Sequence, residues 1–261
     1  MNDWLKRTVR HVLPRAVQHQ IRRWYCPRQV RHFQASRWPH AAAVQRLLRP
    51  GDCVVDAGAN IGYVTALLAS WVGPSGTVHS IEPVPETCDL LRRAVRSLGL
   101  RQVTVHHCAV SDRDGVGQME VPEYPGGGEN FYESHLTTDA GARGRQVEVP
   151  MRRLDSLLGG DVERVSFVKM DVEGHERVAM DGARQVLARA RPAWLIEVAG
   201  DLDDPGGSAG QLHALLAGQG YSAYVWEAGA LRRRPPHGRA VDYFFLQERH
   251  LRERWGEEPV G

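Results

Sequence analysis

The sequence predicts one α/β domain built on a mostly parallel sheet of seven strands that ends in an antiparallel hairpin. From residue 53 onward, short apolar runs alternate with helical stretches, a pattern typical of parallel strands covered on both faces. The chain has 261 residues, 42% of them hydrophobic, which is enough for one sizeable core. Residues 228–240 join the last two runs. They are too short and proline-rich for a crossover helix, so these two strands should pair antiparallel.

The predicted strands follow one another in a regular order. They cover residues 53–58, 77–83, 103–110, 165–171, 193–198, 221–227 and 241–247. Between the third and fourth strands, residues 113–152 alternate in polarity around a glycine-rich tip. This segment is predicted as a β-excursion that forms a wall against a substrate. Its candidate contacts to a ring-shaped acceptor are Tyr124, Phe131, Tyr132 and His135.

Residues 1–40 are predicted as a basic helical arm ahead of the domain, which covers residues 41–261. Nine lysines and arginines lie between Lys6 and Arg37, interleaved with apolar residues and with no acid among them. This pattern fits a helix packed on the domain with solvated charges, or peripheral contact with a membrane. The formal charge of the whole chain is +2, which gives no argument for a nucleic-acid partner.

The use of cysteine and the length of the apolar runs bear on location. Four cysteines without a C-x-x-C pair fit reduced, buried thiols. No apolar run reaches the roughly 18 to 20 residues that a membrane helix needs. These features predict a cytoplasmic protein.

The stretch "VVDAGANIGYVT", Val54 to Thr65, predicts a ligand-binding corner. In parallel α/β sheets, ligands bind at the carboxyl ends of strands, and N–H groups at a helix start attract carboxylates. Gly58, Asn60 and Gly62 suit a tight turn, and Asp56 precedes it. Glu82 ends the second strand about 20 residues further on, where an acid can bind the ribose hydroxyls of an adenosine. Because the turn lacks G-x-G-x-x-G, it favours S-adenosylmethionine over NAD.

Several segments together resemble the FkbM-type S-adenosylmethionine-dependent methyltransferases. They are "RPGDCVVDAGANIGYVTALLA", "GTVHSIEPVPET", "AVSDRDG", "RRLDSLL" and "VSFVKMDVEGHERVAMDGA", in order from about Leu47 to Val198. The resemblance implies a class I methyltransferase Rossmann-like fold. It also implies methyl transfer, usually to a hydroxyl of a sugar, glycan or natural-product scaffold. On this chain it implies that Asp56, Gly58, Asn60 and Gly62 line the methionine end of the donor. Glu82 would hold the ribose, Val110 and Asp112 would border the adenine, and Asp171 would lie beside the transferable methyl group.

Transfer to a hydroxyl also requires removal of its proton. Asp171 ends the fourth strand and Glu197 ends the fifth, so their carboxylates should be neighbours. Asp171, Glu197 and His175 are the candidate bases. Asp171 and Glu197 are also weak candidates for a magnesium site that would lower the acceptor pKa. N-methylation of an amino group, and an inactive cofactor-binding or membrane-adaptor module, remain alternatives. The sequence identifies neither the acceptor, a small molecule or a glycan, nor the oligomeric state.

Overall fold

The computed structural model describes residues 15–124, 129–137 and 144–256. Its helices are α1 Arg15–Arg31, α2 Ala41–Leu47, α3 Tyr63–Val72, α4 Pro85–Leu98, α5 Leu154–Leu158, α6 Glu176–Asp181, α7 Ser208–Gly218 and α8 Glu248–His250. Its strands are β1 Cys53–Ala57, β2 Thr77–Ile81, β3 Val103–His106, β4 Ala109–Val110, β5 Gly115–Val121, β6 His135–Thr137, β7 Arg145–Arg152, β8 Val165–Met170, β9 Ala193–Glu197, β10 Ser222–Glu227, β11 Ala230–Arg233 and β12 Asp242–Leu246.

The main sheet has eight strands in the order β11-β10-β12-β9-β8-β1-β2-β3, so the prediction of seven strands is wrong by one. Strands β1, β2, β3, β8 and β9 are parallel, and β12 runs antiparallel to both β9 and β10. The additional strand β11 lies within residues 228–240, which were predicted only as the connection between the last two strands. Ala228 and Gly229 both have positive φ angles, 50° and 78°, which fits the tight turn of a two-residue hairpin.

The two faces of the central strands explain why the sheet is covered by helices on both sides. All five residues of β1 are buried. Val55 and Val168 belong to one hydrophobic cluster, and Val54, Phe167 and Leu195 belong to the other. Because strand residues alternate between faces, β1 and β8 bury apolar side chains in both layers. The four cysteines are free and buried, as the sequence predicted.

The third predicted strand divides into two pieces that belong to different sheets. Strand β3 pairs with β2 in the main sheet, whereas β4 pairs with β7 in a second sheet of order β4-β7-β5-β6. Strands β5 and β7 form a long antiparallel pair within the predicted β-excursion. Arg145 of β7 donates hydrogen bonds to Glu86 in α4 and to Glu129, which connects the excursion to the main domain.

Helix α1 packs against α4 beside the main sheet. Cys26 and Val30 share a buried cluster with Leu90 and Ala94 of α4. Another face of α1 carries exposed apolar side chains, and Trp24 is 65% exposed. Residues 1–14 of the predicted arm lie outside the described residues. Among the residues that are described, no helix is long and apolar enough to cross a membrane.

Candidate functional site

A large cavity of about 330 Å³ opens at the carboxyl edge of the main sheet. The ends of the central strands form its floor and the second sheet forms a wall. Its lining is Gly58–Asn60, Tyr63, Val64, Ile81–Pro83, Cys108–Val110, Met119, Phe131, Tyr132, Ser134, Leu136, Lys169, Asp171–Glu173, His175 and Glu197. Phe131 and Tyr132 therefore reach the cavity from the excursion, whereas Tyr124 and His135 are not among its lining residues.

The turn between β1 and α3 uses the left-handed region three times. The φ angles of Gly58, Asn60 and Gly62 are 76°, 49° and 97°, as the predicted tight turn requires. A Cβ atom on Gly58 would lie 1.8 Å from the carbonyl oxygen of Asp171, and one on Gly62 would lie 2.7 Å from the Leu91 side chain. Both glycines are thus required by close packing inside the protein, in addition to the turn itself.

The backbone N–H groups of this turn are already engaged. Those from Gly58 to Gly62 donate to the carbonyl oxygens of Ile81 and Ala59, the Glu82 carboxylate and the Asn60 side chain. The N–H groups in the first turn of a helix have no partner within the helix. In α3 this first turn includes Tyr63 and Val64, which line the large cavity, so a ligand carboxylate can bind there.

Glu82 follows β2 and lines the large cavity while being only 5% exposed. Its carboxylate accepts hydrogen bonds from Asn60 N at 2.9 Å, Val84 N at 2.9 Å and Thr87 Oγ1 at 2.7 Å. Burial raises the pKa of Glu82, and the hydrogen bonds from Thr87 and the backbone oppose that rise. A carboxylate has about four acceptor positions, so about one remains for a ligand hydroxyl.

Asp56 does not line the large cavity, contrary to the position expected for it from the family resemblance. The side chain is 0% exposed, and its Oδ2 accepts a hydrogen bond of 2.6 Å from Thr65 Oγ1. Asp56 lies opposite Lys169 in the β1–β8 register, and Lys169 Nζ is 3.9 Å from Asp56 Oδ1. The Asp56 side chain is therefore buried inside the protein, where its charged partner is Lys169.

Lys169 connects the turn with the edge of the sheet. Its Nζ lies 3.1 Å from the carbonyl oxygen of Gly58 and 2.9 Å from Asp171 Oδ2. Burial alone would lower the pKa of Lys169, but Asp171 and Asp56 outweigh burial and raise it. Burial raises the pKa of Asp56, and Lys169 opposes that rise. The buried lysine is therefore held as a cation between two carboxylates.

Three carboxylates meet beside this lysine. Oxygen atoms of Asp171, Glu173 and Glu197 lie within 4.8 Å of one another, so the predicted proximity of Asp171 and Glu197 is observed. Burial, followed by the charges of Asp171 and Asp242, raises the pKa of Glu197 to about 7. Burial and the charge of Asp171 raise the pKa of Glu173 to about 7 as well. Sequence reasoning did not select Glu173, although it stands two positions after Asp171 in "KMDVEG".

These carboxylates fit a divalent cation poorly. Magnesium prefers oxygen ligands, and the three side chains supply them. However, the Lys169 ammonium group already binds Asp171 Oδ2, so a metal ion would have to displace it. Glu173 and Glu197, with pKa values of about 7, are also partly protonated at neutral pH. The magnesium alternative gains no support from this geometry.

Val110 and His175 also line the large cavity. His175 Nε2 lies 3.1 Å from the Ser111 hydroxyl, and burial lowers the pKa of His175. Asp112 is not among the lining residues. Its carboxylate accepts a hydrogen bond from Ser111 and pairs with Arg113. The structure thus brings His175 and Val110 together and leaves Asp112 outside the cavity lining.

A mainly parallel sheet with antiparallel terminal strands, and a buried acid after β2 at the cavity edge, are the arrangement of a class I methyltransferase fold. The Methyltransferase FkbM domain matches residues 56–223. Over 208 residues, the chain is 32% identical to the 31-O-demethyl-FK506 methyltransferase FkbM of Streptomyces tacrolimicus, a match that covers 67% of this chain and 74% of that protein. The chain belongs to the FkbM methyltransferase family.

Two further comparisons show similarity over a shorter segment or at lower identity. The chain is 43% identical over 58 residues to a protein-L-isoaspartate O-methyltransferase of Ignicoccus hospitalis, covering 22% of this chain and 28% of that protein. The crystal structure of methyltransferase FkbM from Methylobacillus flagellatus aligns with a TM-score of 0.47 and 18% identity. That alignment covers 88% of this chain and 59% of the other.

Proposed function

We propose that this enzyme transfers the methyl group of S-adenosylmethionine to a hydroxyl group of a sugar, glycan or natural-product scaffold. The observation that carries the proposal is Glu197, a carboxylate with a pKa of about 7 at the edge of the sheet. Among the described residues, no hydrogen bond or ion pair occupies its side chain. A base with a pKa near the working pH suits removal of a hydroxyl proton. The Streptomyces tacrolimicus relative is named as a 31-O-demethyl-FK506 methyltransferase, which supports methyl transfer to an oxygen atom.

The large cavity offers a matching group for each part of the donor. Val110 and His175 would border the adenine, and Glu82 would accept a ribose hydroxyl. The first-turn N–H groups of Tyr63 and Val64 would bind the donor carboxylate. Bound in this orientation, S-adenosylmethionine supplies a sulfonium methyl group that is already activated for transfer. Asp171 would then lie beside that methyl group. Asp56 would act indirectly, through its ion pair with Lys169.

Glu197 is the best-placed of the candidate bases. The Asp171 carboxylate is already bound by the Lys169 ammonium group at 2.9 Å. His175 is hydrogen-bonded to Ser111 at the end assigned to the adenine. Glu197 is unpaired among the described residues and stands at the edge of the sheet, where an acceptor can approach. As the acceptor oxygen takes the methyl group, its proton passes to the Glu197 carboxylate.

The proposal places the enzyme in the cytoplasm, with no nucleic-acid partner and with α1 as a peripheral element. Val17, Ile21 and Trp24 are exposed at helical spacing on α1, at 42%, 40% and 65%. The guanidinium group of Arg28 lies 3.9 Å from the Trp24 ring centroid. An exposed apolar stripe on a basic helix supports peripheral contact with an anionic membrane. Sedimentation with phosphatidylserine vesicles tests this contact, and Trp24→Ser should abolish it.

Calorimetry with S-adenosylmethionine and S-adenosylhomocysteine tests the donor assignment. Both ligands should bind with dissociation constants in the micromolar range, about 1–100 µM. An absence of binding at millimolar concentration would remove the methyltransferase proposal. Binding without turnover of any hydroxyl or amino acceptor would favour the inactive cofactor-binding alternative.

A further inference from the structure

A second cavity of about 160 Å³ lies beside the large one. We call it the side cavity. Its lining combines the segment Trp38–His40, which follows α1, with Asp242 at the start of β12 and the ends of β8 and β9. Lys169, Asp171 and Glu197 line both cavities. A molecule in the side cavity would therefore face the residues that lie at the methyl end of the large one.

The volumes of the two cavities suit ligands of different size. Sites for drug-sized ligands usually measure about 300–1,000 Å³. The large cavity, at about 330 Å³, is at the lower end of that range. A drug-sized donor such as S-adenosylmethionine would therefore occupy most of it. An acceptor must then approach from a neighbouring space. The side cavity, at about 160 Å³, accommodates a single six-membered ring.

The side cavity is lined by both aromatic and acidic side chains. Trp38 contributes an aromatic surface that is itself stacked on Trp71, with ring centroids 6.2 Å apart and an interplanar angle of 13°. The His40 ring lies edge-on to Trp38, with centroids 6.2 Å apart, and its Nε2 is 3.0 Å from Asp242 Oδ2. Asp242 pairs with Glu197 in the β9–β12 register. An aromatic surface and hydrogen-bonding carboxylates in one cavity suit a ring with apolar C–H faces and hydroxyl edges.

The balance of charge restricts which rings can enter. Asp171, Glu197 and Asp242 contribute three carboxylates to the side cavity. Lys169 is the one lysine or arginine among the lining residues that the structure describes, and it is already paired with Asp171. Within the described lining, Lys169 is paired with Asp171 and His40 with Asp242. An anionic group would therefore lie beside carboxylates without an unpaired cation to bind it, which is costly in a partly buried space.

We propose that the side cavity binds the methyl acceptor, and that it accepts an uncharged or cationic hydroxyl-bearing ring while excluding an anionic one. This inference rests on the proposed function, because it assigns the acceptor of that same reaction. The segment Trp38–His40 thereby becomes part of the active site. Asp242 is a specificity-determining residue that contacts the acceptor and, through its charge, acts on Glu197.

Three monosaccharide probes of similar size test the inference: methyl glucoside, glucosamine and glucuronate. Formation of S-adenosylhomocysteine is measured with each probe over a range of pH, and calorimetry with S-adenosylhomocysteine is run in parallel. The two uncharged or cationic probes should show a kcat/KM at least about tenfold above that of glucuronate. Preference for glucuronate, or no turnover of any probe by protein that binds S-adenosylhomocysteine, would overturn the assignment.

The variant Asp242→Asn separates this inference from the proposed function. It should raise the KM of the accepted probes at least about fivefold, narrow the discrimination against glucuronate, and leave the Kd for S-adenosylhomocysteine within about twofold. The acidic limb of the pH profile should also move to lower pH, because Asp242 helps to raise the pKa of Glu197. The control is Asp203→Asn, which removes the charge of an aspartate that pairs with Arg234 and His237 and lines neither cavity.

The outcomes distinguish the two levels of proposal. If wild-type protein fails to bind S-adenosylhomocysteine, the proposed function fails and the acceptor assignment fails with it. If binding is intact and Asp242→Asn behaves like Asp203→Asn in acceptor KM and pH profile, the proposed function stands and the acceptor assignment is overturned.

Discussion

Replacement of Glu197 by glutamine tests the proposed proton acceptor with almost no change of shape. The glutamine amide fills the same space but cannot take up a proton at neutral pH. General base catalysis contributes about 10²–10⁴-fold to a rate, so kcat for a hydroxyl acceptor should fall by that factor. The Kd for S-adenosylhomocysteine should change little, because Glu197 stands at the acceptor end of the large cavity.

The pH dependence gives an independent signature. With a pKa of about 7, Glu197 is protonated and inactive as a base in acid, so wild-type kcat should rise tenfold per pH unit below about pH 7 and level off above it. In Glu197→Gln this limb should disappear. A neutral amine acceptor requires no strong base, so an amino substrate would show a much smaller loss in the variant.

Stability should move in the opposite direction to activity. The pKa of Glu197 is 4.5 ordinarily and about 7 in the folded protein, so the folded state retains a proton that the unfolded chain releases. Stability therefore falls as pH rises from about 4.5 to 7 and stays reduced above pH 7. For a fully buried group the loss would approach about 3 kcal/mol, and solvent screening of the partly exposed Glu197 lowers it to about 1 kcal/mol. Glu197→Gln should be more stable than wild type by that amount at pH 8, and equal to it at pH 4.

Urea unfolding at pH 4 and pH 8, together with initial rates from pH 5.5 to 8.5, measures both effects. The matched control is Glu173→Gln, since Glu173 has a pKa of about 7 but lines only the large cavity. Its kcat should fall less than tenfold. If Glu197→Gln retains the wild-type kcat and the acidic limb, Glu197 is not the base. If Glu173→Gln loses both, the role belongs to Glu173.

Four further predictions concern the donor corner and the buried charges. Glu82→Ala should weaken S-adenosylhomocysteine binding at least about tenfold by calorimetry, because a hydrogen bond to a charged group is lost; unchanged binding contradicts its ribose role. Gly58→Ala should reduce the free energy of unfolding by at least about 2 kcal/mol, since its Cβ would meet a carbonyl oxygen at 1.8 Å with φ at 76°. The control Gly99→Ala, at a left-handed position where a Cβ meets nothing within 4 Å, should lower the free energy of unfolding by only about 1 kcal/mol. Lys169→Met should lower the free energy of unfolding by about 3–5 kcal/mol at pH 7, because the buried Asp56 carboxylate loses its cationic partner. The loss should be smaller in acid, where Asp56 can take up a proton. An equal loss at both pH values would refute the ion pair. EDTA should lower activity less than about twofold, because the carboxylate edge already holds a lysine; restoration by magnesium after a larger loss would establish a metal site.

The tight turn between β1 and α3 was predictable because its signal is contiguous in the sequence. Gly58, Asn60 and Gly62 occupy one turn, and their positive φ angles follow directly from residue type. The order of apolar runs likewise predicted the parallel strands and the antiparallel end. Strand β11 was missed because its turn, Ala228–Gly229, begins with an alanine, which is unusual at a positive φ angle.

The sequence did not predict whether the Asp56 side chain faces the cavity or the protein interior, because an acid at a strand end can play either of two roles. It can face a ligand, or it can neutralise a buried cation from a neighbouring strand. Its partner, Lys169, is 113 positions away, and only the β1–β8 register brings the two side chains together. The side cavity had even less signal in the sequence, since His40 and Asp242 come from opposite ends of the chain.

The environment of Glu197 affects both the reaction and the resting enzyme. Before transfer, the proposed active site contains a sulfonium cation and an ionised Glu197, and afterwards it contains a neutral thioether and a protonated carboxyl group. A partly buried site stabilises two neutral groups relative to two separated charges, so the burial that raises the pKa of Glu197 also favours product formation. The same carboxylate at a fully solvated position, with its ordinary pKa of 4.5, would be a weaker base. Burial and the neighbouring charges of Asp171 and Asp242 thus favour the proposed role of Glu197 as the base, and the same raised pKa lowers the stability of the folded protein above pH 7.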